Sequence, residues 1–207
     1  FSAALDFFAE LFWDEYGLAI LALTIIIRFL ILPLMIKQYR STKQMQVIQP
    51  DIAKLRTKYK DDPQKQQEEM MKLFQKHGVN PLAGCMPLLI QMPILIALYH
   101  AIMRNSHINE HTFLWMQLGE RDPFFILPVL AALTTYLQQK MMASVQPMNP
   151  QMQMLMVIFP ILIFVMAISF PAALPLYWIF SNLFTIVQSY FMYVRNAPKE
   201  TEGGLSK

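Results

Sequence analysis

Acidic residues are missing from every stretch of this 207-residue chain that is long and apolar enough to cross a bilayer. That absence removes the carboxylate dyad of an intramembrane protease and the usual carboxylate of a proton or sodium relay. Charged residues make up only 15% of the chain, against 55% hydrophobic. A soluble domain carries about 25% charged residues, so the composition is that of a membrane protein. The single cysteine, Cys85, excludes an internal disulfide and a cysteine metal cluster, and it leaves the redox compartment open. No G-x-S-x-G, phosphate loop or dinucleotide fingerprint occurs. His107-Ile-Asn-Glu-His111 matches an H-x-x-E-H zinc arrangement, but it sits in a short loop and no carboxylate lies between residues 123 and 199 to complete a ligand set. Coincidence is the better reading. No covalent chemistry, cofactor or metal is expected.

What the chain has is long apolar runs. Windows near the ~20 residues needed to span a bilayer fall at 17–36, 82–103, 123–141, 152–170 and 172–194. No charged residue occurs from Met141 to Val194, and Phe170-Pro-Ala-Ala-Leu-Pro175 is expected to fold that length into a hairpin of two spans. The reading is an all-α polytopic membrane protein with five transmembrane helices.

Lys and Arg set its orientation. Ten of the seventeen lie in 37–80, whereas the loop 104–122 holds only Arg104 and Arg121. Placing 37–80 in the cytosol puts the loop 142–151 and the basic tail 195–207 there too, with the N-terminus outside. The segment 1–16, with Leu5, Phe8, Leu11 and Phe12 interleaved with Asp6, Glu10 and Asp14, suits a short amphipathic helix in the outer interface. The segment 37–80 reads as a helical hairpin. Met45, Ile48, Ile52, Leu55 and Tyr59 recur as a coiled-coil seam, and Pro50 should kink that arm. Asp62-Pro63 starts the second arm, Met70, Phe74 and His77 share one side of it, and Gly78 closes it. Two solvated helices packed on each other account for the pattern. A docking role would fall to the basic cluster Lys54, Arg56, Lys58 and Lys60.

One cation breaks the first apolar run. Arg28 sits near its centre, where a guanidinium costs about 2.5–3.5 kcal/mol even on lenient insertion scales and cannot escape by losing its proton. Thr24 lies one turn away. On the last run Trp178, Asn182, Thr185 and Ser189 form a polar stripe about 16 Å long, with Ser181 and Gln188 beside it. Gln91 adds an amide to the second run, and Thr134, Thr135 and Gln138 add polar groups to the third. Interhelical hydrogen bonds, worth ~0.6 kcal/mol apiece, would explain any one of these residues. With no carboxylate in the spans, two solutions remain for Arg28. It can snorkel toward Lys37, ~13 Å along a helix, or face a wet cavity open to the cytosol. The methionine cluster from Met141 to Met156 suits varied apolar contacts or plain packing.

Two longer motifs carry a resemblance. Asn80-Pro-Leu-Ala-Gly-Cys-Met-Pro-Leu-Leu-Ile-Gln-Met-Pro-Ile-Leu-Ile-Ala-Leu-Tyr99 resembles the signature entering the second core span of the YidC/Oxa/Alb membrane-protein insertases, and Leu174-Pro-Leu-Tyr-Trp-Ile-Phe-Ser-Asn-Leu-Phe-Thr-Ile-Val-Gln188 resembles the family's last-span motif. Arg28 followed by Pro33-Leu34 and a charged hairpin fits the first span and cytosolic loop. The resemblance covers essentially the whole chain and looks like the short Gram-positive form, in which a lipoprotein signal would have been cleaved.

It implies a multi-pass protein of the cell membrane whose core encloses a polar groove, open to cytosol and lipid and closed outside. The groove residues expected are Arg28, Thr24, Gln91, Gln138, Trp178, Asn182, Thr185, Gln188 and Ser189. The implied partners are nascent clients with short acidic outer tails and the lipid bilayer, with the ribosome, a targeting receptor and the Sec translocon as further candidates, and a monomer as the working unit. The alternative is a small anion or solute transporter that uses Arg28 as its binding charge. A scaffold, in which the hairpin is the functional part, is the third reading.

Overall fold

A computed structural model describes residues 2–80, 86–143 and 150–194. The chain is mostly helical. In order it forms α1 (Ser2–Leu11), α2 (Tyr16–Val47), α3 (Gln49–Lys58), α4 (Pro63–His77), α5 (Met86–Arg104), the short α6 (Ser106–Glu110), strands β1 (Thr112–Phe113) and β2 (Met116–Gln117), then α7 (Ile126–Ala143), α8 (Pro150–Ser169) and α9 (Ala173–Ser189), which ends in a π-helical turn, Tyr190–Val194. Among the described residues α2 is the one helix that passes a length-and-composition test for crossing a membrane; Leu89–Arg104 and Met156–Ser169 are shorter apolar helices.

The central helix is α9. It packs against α2, α5 and α7, and α7 pairs with α8. Leu174, Leu176, Tyr177, Trp178 and Ile179 are all buried, joined in one core by Ile20, Leu23, Leu98, Ile102, Leu127 and Ile163. Pro33, Pro93 and Pro160 sit inside helices without ending them, as interior prolines do where neighbouring helices satisfy the freed carbonyls. The chain does break between Ser169 and Ala173, in the Phe170–Pro175 segment.

At the start of the bundle, α1 buries Leu5 and Ala9, while Leu11 of the expected apolar face is exposed. The anchor is polar. Tyr16 Oη donates to Asp6 Oδ1 (2.9 Å), and Asn105 Nδ2 donates to the same oxygen (2.7 Å). Burial and that carboxylate push the Tyr16 phenol up to about 12. Gly17 lies against the Phe113 ring, and a methyl group there would overlap it. His111 is occupied structurally: its ring lies 4.7 Å from that of Tyr16, and Nδ1 is 2.6 Å from the His107 carbonyl.

The stretch between α5 and α7, expected as a plain loop, is a compact module. Ile108, Met116 and Leu118 are fully buried in the main core. Asp122, itself buried, accepts from the Leu127 (2.6 Å) and Phe124 (3.1 Å) amides and from Trp115 Nε1 (3.2 Å), and the bond to Leu127 satisfies an orphan donor in the first turn of α7. The backbone N–H groups of Ala172 and Ala173 donate to the carbonyls of Glu120 (2.6 Å) and Leu118 (3.0 Å). The module is thereby stitched to the first turn of α9.

At the other end, α2 runs on past residue 36 to Val47 and breaks at Ile48, two residues before Pro50. Ile48, Ile52, Phe74 and Val79 form a second, separate core with Met45, Met70 and Leu73 against it. Leu55 and Tyr59 of the expected seam are only half-buried, and His77 is exposed. His77 turns its Nδ1 to the Leu73 carbonyl instead (3.0 Å). Asp62 caps α4 by accepting from the Lys65 amide (3.1 Å), and Gly78 at φ 62° ends it, the left-handed position where glycine avoids the Cβ penalty.

Candidate functional site

Arg28 does not snorkel along α2. It is half-buried and reaches across to α5 and α9. Its Nη2 donates to the Ser181 hydroxyl, lies 3.3 Å from the Ser181 carbonyl and 3.4 Å from Gln91 Oε1. The Ser181 hydroxyl in turn points to Gln91 Oε1 (3.4 Å), and Gln91 Nε2 donates to Tyr177 Oη (3.1 Å). Three helices thus meet in one polar cluster made of a cation, an amide, two hydroxyls and a carbonyl. Among the described residues no carboxylate comes within ion-pair distance of Arg28. Every partner is neutral.

The stripe on α9 goes elsewhere. Trp178 Nε1 donates to Thr135 Oγ1 (2.9 Å) on α7. The Asn182 amide sits between Thr135 Oγ1 (2.9 Å) and Thr134 Oγ1 (3.1 Å), with Gln138 Oε1 2.9 Å from the amide once it is turned to present nitrogen there. Ser189 Oγ lies 3.8 Å from Met142 Sδ. These residues tie α9 to α7 and form a network of their own.

The remaining expected groove residues are placed in three ways. Thr24 is buried and donates to its own helix at the Ile20 carbonyl (2.6 Å). Thr185 donates to the Ser181 carbonyl (2.9 Å), the same oxygen that faces Arg28. Gln188 lines a shallow groove between α2 and α9, and its Nε2 is buried with no partner among the described residues. The structure therefore brings Arg28 and Gln91 together and sets Gln138, Trp178, Asn182 and Ser189 apart from them.

Tyr177 was not singled out by the pattern, and Ser181 was noticed only as a neighbour of the stripe. The signal was present: they are one turn apart on α9, one residue before Trp178 and Asn182. One residue is ~100° of rotation, which is the difference between facing α7 and facing Arg28. Lys54, Arg56, Lys58 and Lys60 belong to α3 and the turn after it, away from this cluster; Lys54 lies 3.5 Å from Asp51, and Lys58 stands over the Tyr59 ring. Lys72 pairs with Glu68 (2.7 Å) and Glu69 (2.9 Å) on α4, which holds its ammonium above the usual lysine range.

Comparison with known proteins gives one answer from three directions. The family model described as 60Kd inner membrane protein matches residues 7–200. The chain is 55% identical over its whole length to "Membrane protein insertase YidC 2" of Bacillus anthracis, covering 83% of that protein, and 54% identical to "Membrane protein insertase MisCA" of Bacillus subtilis, covering 82%. Among solved structures it is similar to an active YidC insertase crystal structure with the first transmembrane domain resolved, at a TM-score of 0.72 and 27% identity over 92% of this chain. It spans 46% of that longer chain.

Proposed function

The chain belongs to the 60Kd inner membrane protein family, and on that premise we propose that it inserts membrane-protein clients through a polar groove centred on Arg28. The observation that carries this reading is the cluster in which Arg28 is held by Gln91 and Ser181 and by no carboxylate among the described residues. Neutral oxygens hold a guanidinium in place without cancelling its charge. A client carboxylate 4 Å away at an effective dielectric of 20 gains about 4 kcal/mol, close to the ~2.5–3.5 kcal/mol cost of burying the cation. The exchange is strong enough to draw an acidic tail in and weak enough to release it. With the cell interior negative, outward movement of each negative charge is favoured by ~2.3 kcal/mol per 100 mV.

In this reading residues 17–36 of α2, with α5, α7, α8 and α9, are the five spans, in the cell membrane, with the N-terminus outside and the segment 37–80, which carries α3 and α4, in the cytosol. The basic excess of 37–80 supports that orientation. At 1.5 Å per residue, α7 (18 residues) and α8 (20 residues) reach about 27 and 30 Å, which suits a hydrocarbon core of ~30 Å. The hairpin, with Lys54, Arg56, Lys58 and Lys60, receives the client, its ribosome or a targeting receptor, alone or beside the Sec translocon. The client's hydrophilic outer segment enters beside Arg28, and its apolar segment leaves into lipid.

The test is insertion of a single-span client with an acidic outer tail into liposomes carrying the purified protein. Arg28→Ala is expected to cost tenfold or more, the equivalent of ~1.4 kcal/mol, and to spare a client with a neutral tail. Arg28→Lys keeps the charge and loses the planar fork, so its activity should fall between the two. Normal insertion of the acidic-tailed client by Arg28→Ala would sink the proposal. Loss of solute uptake in the same vesicles would favour the transporter instead.

A further inference from the structure

The groove between α2 and α9 has a volume of about 370 Å³ and is walled by Leu32 and Ile36 on one side and Val187 and Phe191 on the other. Its volume lies within the range of ligand pockets, roughly 300–1,000 Å³. Its walls are apolar: Gln188 also lines it, but its Nε2 is buried and is not presented to the groove. Neither the Arg28 cluster nor the α7 seam uses this site.

We propose that the groove binds one anionic phospholipid, with an acyl chain between α2 and α9 and the phosphate beside Arg40 and Lys37. The proposal rests on the membrane-embedded reading above. Two observations select this occupant. First, a helix is ~10–12 Å across, too wide to sit within this cleft, whereas an acyl chain follows a narrow apolar one. Second, the charge is at the right end. Arg40 is exposed one turn beyond Ile36 on the same face of α2, about 6 Å along the helix, and Lys37 is exposed next to Ile36. Basic residues at the edge of an apolar span attract anionic headgroups.

Native mass spectrometry of the purified protein, offered equal amounts of phosphatidylglycerol and phosphatidylcholine with identical acyl chains, tests this directly. The unmodified protein should retain one phosphatidylglycerol in preference. Arg40→Gln should lower the ratio of retained phosphatidylglycerol to phosphatidylcholine about fivefold, which corresponds to ~1 kcal/mol per basic residue beside an anionic surface. Val187→Trp fills the groove and should lose both lipids, whereas Leu183→Trp, on an exposed position of the same helix, should retain them. Equal retention of the two lipids by the unmodified protein overturns the proposal. So does an unchanged ratio in Arg40→Gln, loss of lipid in Leu183→Trp, or a photoreactive residue at 187 that captures client polypeptide instead of lipid. Lipid retention is read without any client, so its failure leaves the insertase reading intact, and failure of the Arg28→Ala insertion test leaves lipid retention intact.

Discussion

The stretch between α5 and α7 and the hairpin of α3 and α4 both lie outside the helical bundle, yet they bury their apolar residues in opposite ways. The first feeds Ile108, Met116 and Leu118 into the main core and hydrogen-bonds its backbone to the start of α9. The hairpin keeps Ile48, Ile52, Phe74 and Val79 in a core of its own and surrounds them with charge. Fully burying one such side chain is worth about 1.5–3 kcal/mol, so these four residues help to hold the two short helices against each other. One end of the molecule is thus continuous with its most stable part. The other keeps a core of its own, so local opening there would leave the main core in place.

The largest expected effect tests that contrast. Leu118→Ala should destabilise the protein by about 2–5 kcal/mol, visible as a lower thermal midpoint of the whole bundle in detergent. Ile52→Ala removes a similarly buried side chain, yet it should leave that midpoint in place and only speed proteolytic cleavage between residues 48 and 80. An equal fall in midpoint for both variants would mean that the two cores are one. A smaller effect comes from the caps. Asp122→Ala strands the buried Leu127 amide at the start of α7 and should cost about 1–3 kcal/mol of global stability, whereas Asp62→Ala should cost ~1 kcal/mol, confined to hydrogen exchange within α4.

The next expectation concerns pH. Tyr16 has its pKa raised from 10.0 to about 12 in the folded protein, so the unfolded chain releases this proton first as pH rises. The stability it supports is complete below pH 10 and lost progressively toward pH 12. Thermal midpoints measured across that range should fall more steeply for the native sequence than for Tyr16→Phe. A steeper fall in Tyr16→Phe would reverse the assignment. At the bottom of the scale stands Lys72→Ala on the hairpin surface, which removes two exposed ion pairs and should produce no measurable shift in either core, as exposed pairs seldom do.

Much of the architecture was readable because its signals are local. Asp62-Pro63 and Gly78 mark the ends of α4, and Phe170–Pro175 marks the turn before α9, through backbone constraints that act wherever those residues stand. The family resemblance was readable from two long motifs. The cluster around Arg28 was readable only in part. The lone cation and Gln91 were visible, but Tyr177/Ser181 and Trp178/Asn182 are neighbouring faces of one helix, each carrying an aromatic and a polar residue. Only the positions of α2 and α7 decide which face meets which partner. The module at 105–125 was missed for a related reason. Ile108, Met116 and Leu118 follow no helical or strand period, and their burial depends on a backbone path that composition does not encode.

The carbonyls of Leu118 and Glu120 that receive the amides of Ala172 and Ala173 set a rule for how this end of the molecule can evolve. A join made by main-chain atoms makes few demands on the side chains at residues 119–121, although proline at 120 would lose the amide bond to the Gln117 carbonyl. It depends instead on chain length. A single residue inserted between Leu118 and Asp122 would move one partner out of register, and this end of the molecule would loosen although no side chain had changed.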